Sequence, residues 1–262
     1  MLLLVTRPRA QAAGWVQALH ALGQQAQALP LIDIVPVADG GPVGGAWSQL
    51  HGYALVVFVR ANAVTGFFAL GPAQATWPSH VRAGSTGPGT SAALLGAGVP
   101  PTVLVEPDGA AGFDSEALWA QLSQRSWSNE RVLVVRGEDG RDWLAEQLRE
   151  QGAEVDFVAA YARRPPQLDA TEQALLQRAV AEPTAHLWLF SSSQSLRHLQ
   201  ALLPAADWSA GQAIASHPRI AQAARELGFG RIEVVAPKPH AVARRAADWS
   251  ASDRACLQSA RS

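Results

Sequence analysis

The chain has 262 residues, 48% of them hydrophobic and 16% charged, with a formal net charge of -1. That balance is too apolar for a disordered chain, and it lacks the basic field that holds a nucleic-acid backbone or an anionic bilayer, so neither partner is expected. The lone Cys256 excludes an intramolecular disulfide, the seven histidines show no zinc spacing, and no apolar run reaches the length of a membrane span.

In chain order, LLLV ends at Thr6, after which Trp15, Val16, Leu19 and Leu22 recur at helical spacing and Gly23 falls where a helix takes a left-handed cap. The opening MLLLVTRPRAQ is too short an apolar run for a signal peptide, so a cytoplasmic protein is expected. A second strand leads to Pro36 and the Gly- and Pro-rich ADGGPVGG (38–45), read as a linker. ALVVF then stops at Val59 and Arg60 before a helix, HVRAG leads into GPGTSA and another helix, and VLVE ends at Glu106. RVLVVRGEDGRDWLAEQLREQGAEVDFVAAY repeats the opening grammar with Trp143, Leu144, Leu148 and Gly152, and ARRPPQLD (162–169) reads as a second linker. LWLF runs into SSSQSL, and a further strand runs into SHPRIA. The helical HAVARRAADW gives way to SASDRACLQSARS, expected to be a frayed tail.

The chain echoes itself with a period of about 130 residues, the signature of duplicated architecture. Leu4, Val5 and Arg7 match Leu133, Val134 and Arg136; Leu55 and Phe58 match Leu187 and Phe190; Pro88, Ala93 and Gly98 match Pro218, Ala223 and Gly228. Short apolar strands alternating with helices predict an α/β chain of two similar lobes, each a parallel sheet flanked by helices, joined by a two-stranded linker.

Six strand-to-helix turns result: TRPRAQ, VRANAV, GPGTSA, RGEDGR, SSSQSL and SHPRIA. In open parallel sheets ligands bind beyond the carboxyl ends of the strands, where helix N-termini offer free N–H groups and a positive dipole end. If the lobes face each other, the two triplets converge on one cleft suited to an anion with widely spaced groups. The alternative is that Ser, Thr and Asn in these turns only cap helices. Arginine supplies all cations but Lys238, and its planar fork suits carboxylates.

GPGTSA also fits G-x-G-x-x-A, with Glu106 near the place of a ribose-binding acid, which would make the chain a nucleotide-dependent oxidoreductase or transferase. The preceding strand is poorly apolar, the matching SHPRIA turn keeps no glycine, and the motif sits in the third unit of its repeat. A two-lobed small-anion binding protein is the other alternative. Ser191 to Ser193 lack a nucleophile elbow, so nucleophilic chemistry is not indicated, and His217 is expected to cap or touch a ligand rather than bind metal. Tyr161 ends DFVAAY; its phenol either donates a proton to a leaving hydroxyl or packs as a strand-end aromatic.

The ordered series VTRP, FVRANAV, GPGTSAALLGAGV, VLVVRGEDGRDWLAEQLREQGAEVDFVAAYARRP, FSSSQSL and SHPRIAQAARELGF resembles the uroporphyrinogen-III synthase family over residues 3 to about 247. The resemblance implies a discontinuous first domain (1–35 with 167–250), a second domain (37–163) and a tail (251–262). It implies that a monomer, using no cofactor and no metal, closes hydroxymethylbilane into a macrocycle with loss of water and inversion of the last pyrrole ring. Transient contact with the bilane-forming enzyme is also implied. Tyr161 resembles the family tyrosine proposed to help expel the hydroxyl, Thr90 its small polar residue in the first lobe, and Ser191 the serine of its second-lobe turn. Arg7, Asn62, Arg136, Gly137, Ser193 and His217 lie in the matching turns. Val59 and Arg60 stand where many members have Thr-Ser, and Arg219 lies where a threonine is common, so Arg60 and Arg219 are expected to meet carboxylates directly.

Overall fold

A computed structural model describes the backbone of residues 1–109 and 112–259, and the side chains of those up to residue 249. In chain order the elements are β1 (Leu2–Val5), α1 (Arg9–Ala21), β2 (Ala26–Ala28), β3 (Asp33–Val35), α2 (Gly41–Ser48), β4 (Leu55–Phe58), α3 (Ala61–Ala69), β5 (Arg82–Ser85), α4 (Pro88–Gly96), β6 (Leu104–Val105), α5 (Ser115–Leu122) and β7 (Arg131–Gly137). They continue as α6 (Trp143–Glu150), β8 (Glu154–Arg164), α7 (Ala170–Ala181), β9 (His186–Phe190), α8 (Ser193–Leu202), β10 (Gln212–Ala215), α9 (Pro218–Leu227), β11 (Arg231–Val234) and α10 (Pro239–Ser259).

Two compact units emerge, one of residues 1–33 with 164–262 and one of residues 34–163. The first holds a five-stranded sheet in the order β11-β10-β9-β1-β2, and the second a six-stranded sheet in the order β3-β8-β7-β4-β5-β6. Neighbouring strands run parallel from β11 through β2 and from β8 through β6. Parallel sheets need cover on both faces, and the sequence supplies it. In the second unit Val56, Phe58, Leu133 and Val135 face Val43, Trp47, Phe67 and Leu94 of α2, α3 and α4, while Leu55, Val57, Val132 and Val134 face Leu118 of α5 and Leu144 and Leu148 of α6. In the first unit Leu4, Trp188 and Phe190 pack on α7, α8 and α9, while Leu3, Val5, Leu187 and Leu189 pack on α1 and α10.

The duplication has an exchanged arrangement. Each sheet takes one βα pair from one repeat (β1 and β2, or β7 and β8) and three strands from the other (β9 to β11, or β4 to β6). The first sheet therefore carries the doubly wound order 2-1-3-4-5, and the second carries its circular permutation with β3 added beyond β8; the switch point lies between β1 and β9 in one unit and between β7 and β4 in the other. Equivalent helices also end alike: Gly23 and Gly152 have φ of 76° and 87°, and Gly98 and Gly228 have 90° and 104°. Those left-handed values suit only glycine at low cost.

Two expectations need correction. Residues 38–45 are not simply linker, because α2 begins at Gly41. Val43, Ala46 and Trp47 recur at helical spacing and are buried, and Pro42 sits in the first turn, where its missing N–H costs nothing. Tertiary burial of Trp47 against Phe67 at 4.7 Å overrides the low helix propensity of the glycines. At the other end α10 runs to Ser259, so the segment set apart as a tail is helical through 259; residues 260–262 lie outside the described residues.

Candidate functional site

The six sequence-predicted turns all lie at the carboxyl ends of their strands. Those after β1, β9 and β10 belong to the first unit, and those after β4, β5 and β7 to the second. Capping accounts for only part of their chemistry. The Ser192 side chain accepts from the Gln194 N–H at 3.2 Å, and His217 Nδ1 accepts from the Arg219 N–H at 3.1 Å. The helices after β1, β4, β5 and β7 start at Pro8, Arg60, Gly87 and Asp142 with no side-chain cap at all. Five of the six helices, α1, α3, α4, α8 and α9, have no acidic residue in the first turn. By contrast α5 and α7, which follow other connections, are capped by Asp114 and Asp169 and carry Glu116 and Glu172 there. Of the helices elsewhere, α5 and α7 are thus neutralised internally while α2 and α10 carry no first-turn acid, and most of the strand-end turns leave a positive dipole end open to an incoming carboxylate.

In the first unit Thr6 is fully buried and its hydroxyl donates to the Leu189 carbonyl at 2.7 Å, tying the turn after β1 to the end of β9. Arg7 lies with its guanidinium 4.3 Å from the Trp15 ring centroid. Arg9 pairs with Glu172, which also completes the capping box of α7. Ser191 and Ser193 flank the capping Ser192, and Arg219 is exposed on the first turn of α9. Because His217 Nδ1 accepts a hydrogen bond, that nitrogen bears no proton, which is the capping role expected of it.

In the second unit the geometry centres on Tyr161, only 2% exposed. It pairs with Gly137 across β8 and β7 just past an irregularity in register. A methyl group at Gly137 would lie 2.9 Å from Tyr161 Cζ and 3.2 Å from its hydroxyl, so only glycine lets the ring settle there. The Tyr161 hydroxyl accepts a hydrogen bond from Arg163 Nη2 at 2.9 Å. Arg60 comes into the same electrostatic neighbourhood. Burial lowers its pKa, the positive charge of Arg163 lowers it further, Tyr161 opposes the shift, and Arg141 adds to it. Although protein atoms crowd that guanidinium, the residue as a whole is exposed, so it stays charged at neutral pH. Its backbone, at φ 84° and ψ 156°, lies in a region that is nearly exclusive to glycine.

Asn62 sits in the first turn of α3 and Thr90, 5% exposed, in the first turn of α4. Arg136 is engaged within its own turn, ion-paired to Asp142 and lying 4.2 Å from the Phe157 ring centroid. Glu106, the candidate ribose acid, accepts instead from the Ser91 hydroxyl at 2.5 Å, and the Ser85 hydroxyl oxygen lies 2.8 Å from that of Ser91. Together these side chains brace the turn entering α4, at a strand one step away from the switch point. The dinucleotide alternative loses its acid to this network.

Arg163 was not singled out from sequence, although Tyr-x-Arg within a strand places both side chains on one face. Phe113, 56% exposed, was likewise missed; its Cβ would lie 2.9 Å from a methyl at Gly87.

Residues 13–243 match the family model described as uroporphyrinogen-III synthase HemD. The chain belongs to the uroporphyrinogen-III synthase family. Similar relatives include a uroporphyrinogen-III synthase from Salmonella typhimurium, 30% identical over 89% of this chain and 94% of that protein. One from Escherichia coli K12 is 29% identical over 89% and 94% of the two chains. Among solved structures, a mutant uroporphyrinogen III synthase from the extremely thermophilic bacterium Thermus thermophilus superposes with a TM-score of 0.58 at 17% identity, covering 99% of both chains. The uroporphyrinogen-III synthetase of Helicobacter pylori 26695 gives 0.58 at 16% identity, covering 94% of this chain and 98% of that one. At those identities the superpositions speak for the fold: two α/β units. Among the described residues no helix is long and apolar enough to cross a membrane, and no group of three potential metal ligands occurs.

Proposed function

We propose that this chain catalyses the reaction of its family: it takes hydroxymethylbilane, a linear tetrapyrrole polycarboxylate, expels the terminal hydroxyl as water, and closes the macrocycle with the last pyrrole ring inverted. The observation that carries this is the contrast among helix N-termini. Five of the six at the strand-end turns lack a first-turn acid and four lack a side-chain cap, whereas α5 and α7 possess both; α2 and α10, which follow other connections, also lack the acid. Each carboxylate at such an end gains about 0.3 to 1 kcal/mol from the dipole, so several together orient a flexible polyanion. Holding it in one folded shape is what the inversion requires, since unguided closure gives the uninverted ring.

In this reading Arg7, Ser191, Ser193, His217 and Arg219 of the first unit contact substrate. So do Arg60, Asn62, Thr90, Arg136 and the Gly137 backbone of the second, and Tyr161 is the proton donor. The chain works as a cytoplasmic monomer and receives its substrate from the bilane-forming enzyme by transient contact. The side chains need only move protons and help the hydroxyl leave, while the carbon–carbon bonds that close and invert the ring are made and broken within the substrate.

The deciding experiment supplies freshly made hydroxymethylbilane and separates isomers I and III of the oxidised product. Isomer III in excess of the enzyme-free control supports the proposal. Isomer I alone, or bilane recovered unchanged beyond the spontaneous rate, overturns it.

A further inference from the structure

We infer that Arg163 is a positioning residue for the proton of Tyr161: it occupies the acceptor side of the phenol, so that the O–H points away from β8, and it holds the phenolate that forms when the proton leaves. This rests on the reading of Tyr161 as acid given above.

A guanidinium has five N–H donors and no acceptor, so the 2.9 Å contact between Arg163 Nη2 and the Tyr161 hydroxyl has one possible direction, with the phenol oxygen accepting. A phenol that accepts from below has its own hydrogen left to donate elsewhere. The strand enforces the pairing. Tyr161 and Arg163 are two residues apart on β8 and share a face, and the guanidinium also lies 5.6 Å from the Tyr161 ring centroid. Gly137 fixes the other side of the ring through the close approach described above. Arg60 adds positive charge to the same neighbourhood, whereas Arg141, which is near Arg60, is ion-paired to Glu116. A cation fixed on the acceptor side of the phenol leaves the O–H free to face a substrate oxygen and stands ready for the charge that develops when the proton is passed on.

The step balances as follows. The Tyr161 O–H bond breaks and its proton goes to the substrate hydroxyl oxygen. The carbon–oxygen bond then breaks with its electron pair on that oxygen, releasing water and leaving a pyrrole-stabilised cation. The last pyrrole attacks this cation through its substituted carbon to form a spiro intermediate. The bond from that carbon to its bridging methylene breaks and re-forms at the free α carbon, and the proton lost from that α carbon returns to the phenolate held by Arg163.

The test measures kcat, KM and isomer ratio for Tyr161→Phe, Arg163→Met, Arg163→Lys and the double variant Tyr161→Phe/Arg163→Met, with circular dichroism and urea midpoints as folding controls. Arg163→Met is expected to lower kcat roughly 10- to 100-fold, the loss of one hydrogen bond to a charged group, with KM little changed. Arg163→Lys should recover part of that loss, and Arg163→Met should have no further effect once Tyr161 is Phe. The isomer ratio should hold, since proton delivery does not choose the ring face. Should Arg163→Met fail to fold, Arg163→Lys against Tyr161→Phe carries the comparison: a kcat between those of wild type and Tyr161→Phe supports the inference, and a kcat at either extreme overturns it. Additive losses, a change confined to KM, or wild-type kcat in Arg163→Met also overturn it while leaving the synthase reading intact. If wild-type protein makes no isomer III, both fall.

Discussion

Gly137→Ala isolates the placement of Tyr161 from its chemistry. The added methyl would lie 2.9 Å from Tyr161 Cζ, 3.1 Å from Cε2 and 3.2 Å from the hydroxyl. Carbon atoms settle at about 3.5 to 4.0 Å, so the ring must withdraw by roughly 0.6 to 1 Å. Gly137 does not have a positive φ, so alanine meets no backbone penalty and the whole effect falls on the ring. Crowding of this kind in a packed interior costs about 1 to 3 kcal/mol. A misplacement near 1 Å at a reacting group can cost about a hundredfold in rate. Urea unfolding should therefore show a lower midpoint at unchanged slope, and isomer III formation should slow by about one to two orders of magnitude. Each readout tests a different link. Wild-type stability would refute the packing, whereas reduced stability with a wild-type rate would show that the Tyr161 hydroxyl is not placed for the reaction.

Three other outcomes follow from named contacts. Arg60→Gly removes a side chain from a backbone region that costs a non-glycine residue about 1 to 3 kcal/mol, against about 0.5 to 1 kcal/mol of added chain entropy, so its urea stability should equal or exceed wild type while KM rises; a clearly destabilised variant would dismiss the strain. Gly66→Ala would set a methyl 2.0 Å from the Ala160 carbonyl oxygen, where α3 lies directly on β8, and the loss in urea stability should exceed the 1 to 3 kcal/mol or so of ordinary crowding, with a neutral substitution excluding that approach. Burial and a 2.9 Å hydrogen bond to Asp156 push the Tyr53 phenol up to about 12. The fold thus favours its neutral form, and this contribution is intact below pH of about 10 and lost as pH rises through 12. Stability measured upward from pH 9 should decline less steeply in Tyr53→Phe, and parallel declines would count against the assignment.

The alternation of apolar strands with amphipathic helices made most of the fold legible, because a parallel sheet covered on both faces leaves few other patterns. The echo of Leu4 and Val5 in Leu133 and Val134 announced two sheets of one design. It could not announce the exchange, since pairing Leu2 with His186 is a long-range choice with no local signal. The helix at Gly41 was hidden for a related reason: its glycines speak against a helix, and only the burial of Val43 and Trp47 by distant residues decides the matter. At the candidate site, position was easier to read than role. Thr6, Ser192 and His217 lie where the turns placed them, yet their side chains tie and cap the backbone. The Tyr161 and Arg163 pair was available as two residues on one strand face, but that the two side chains are hydrogen-bonded emerges only from the structure.

The exchange has a consequence for the order of folding. In the second unit β4 to β8 are contiguous in sequence, whereas in the first unit β1 must find β9 across the whole of the other unit. Closing a loop of about 130 disordered residues costs roughly 4 kcal/mol by (3/2)RT ln n, before any contact of β1 with β9 is gained. If residues 34–163 fold first, that cost is removed, because β3 and β8 pair side by side and bring the two crossings of the chain together. The Gln167 N–H then reaches Asp33 Oδ2 at 2.9 Å, fastening the entrance of the first unit next to its exit. Refolding followed by pulsed hydrogen exchange should therefore protect amides of β4, β5 and β7 before those of β1 and β9. Simultaneous protection, or protection of β1 and β9 first, would mean that the first unit assembles without a template and that the exchanged topology imposes no order.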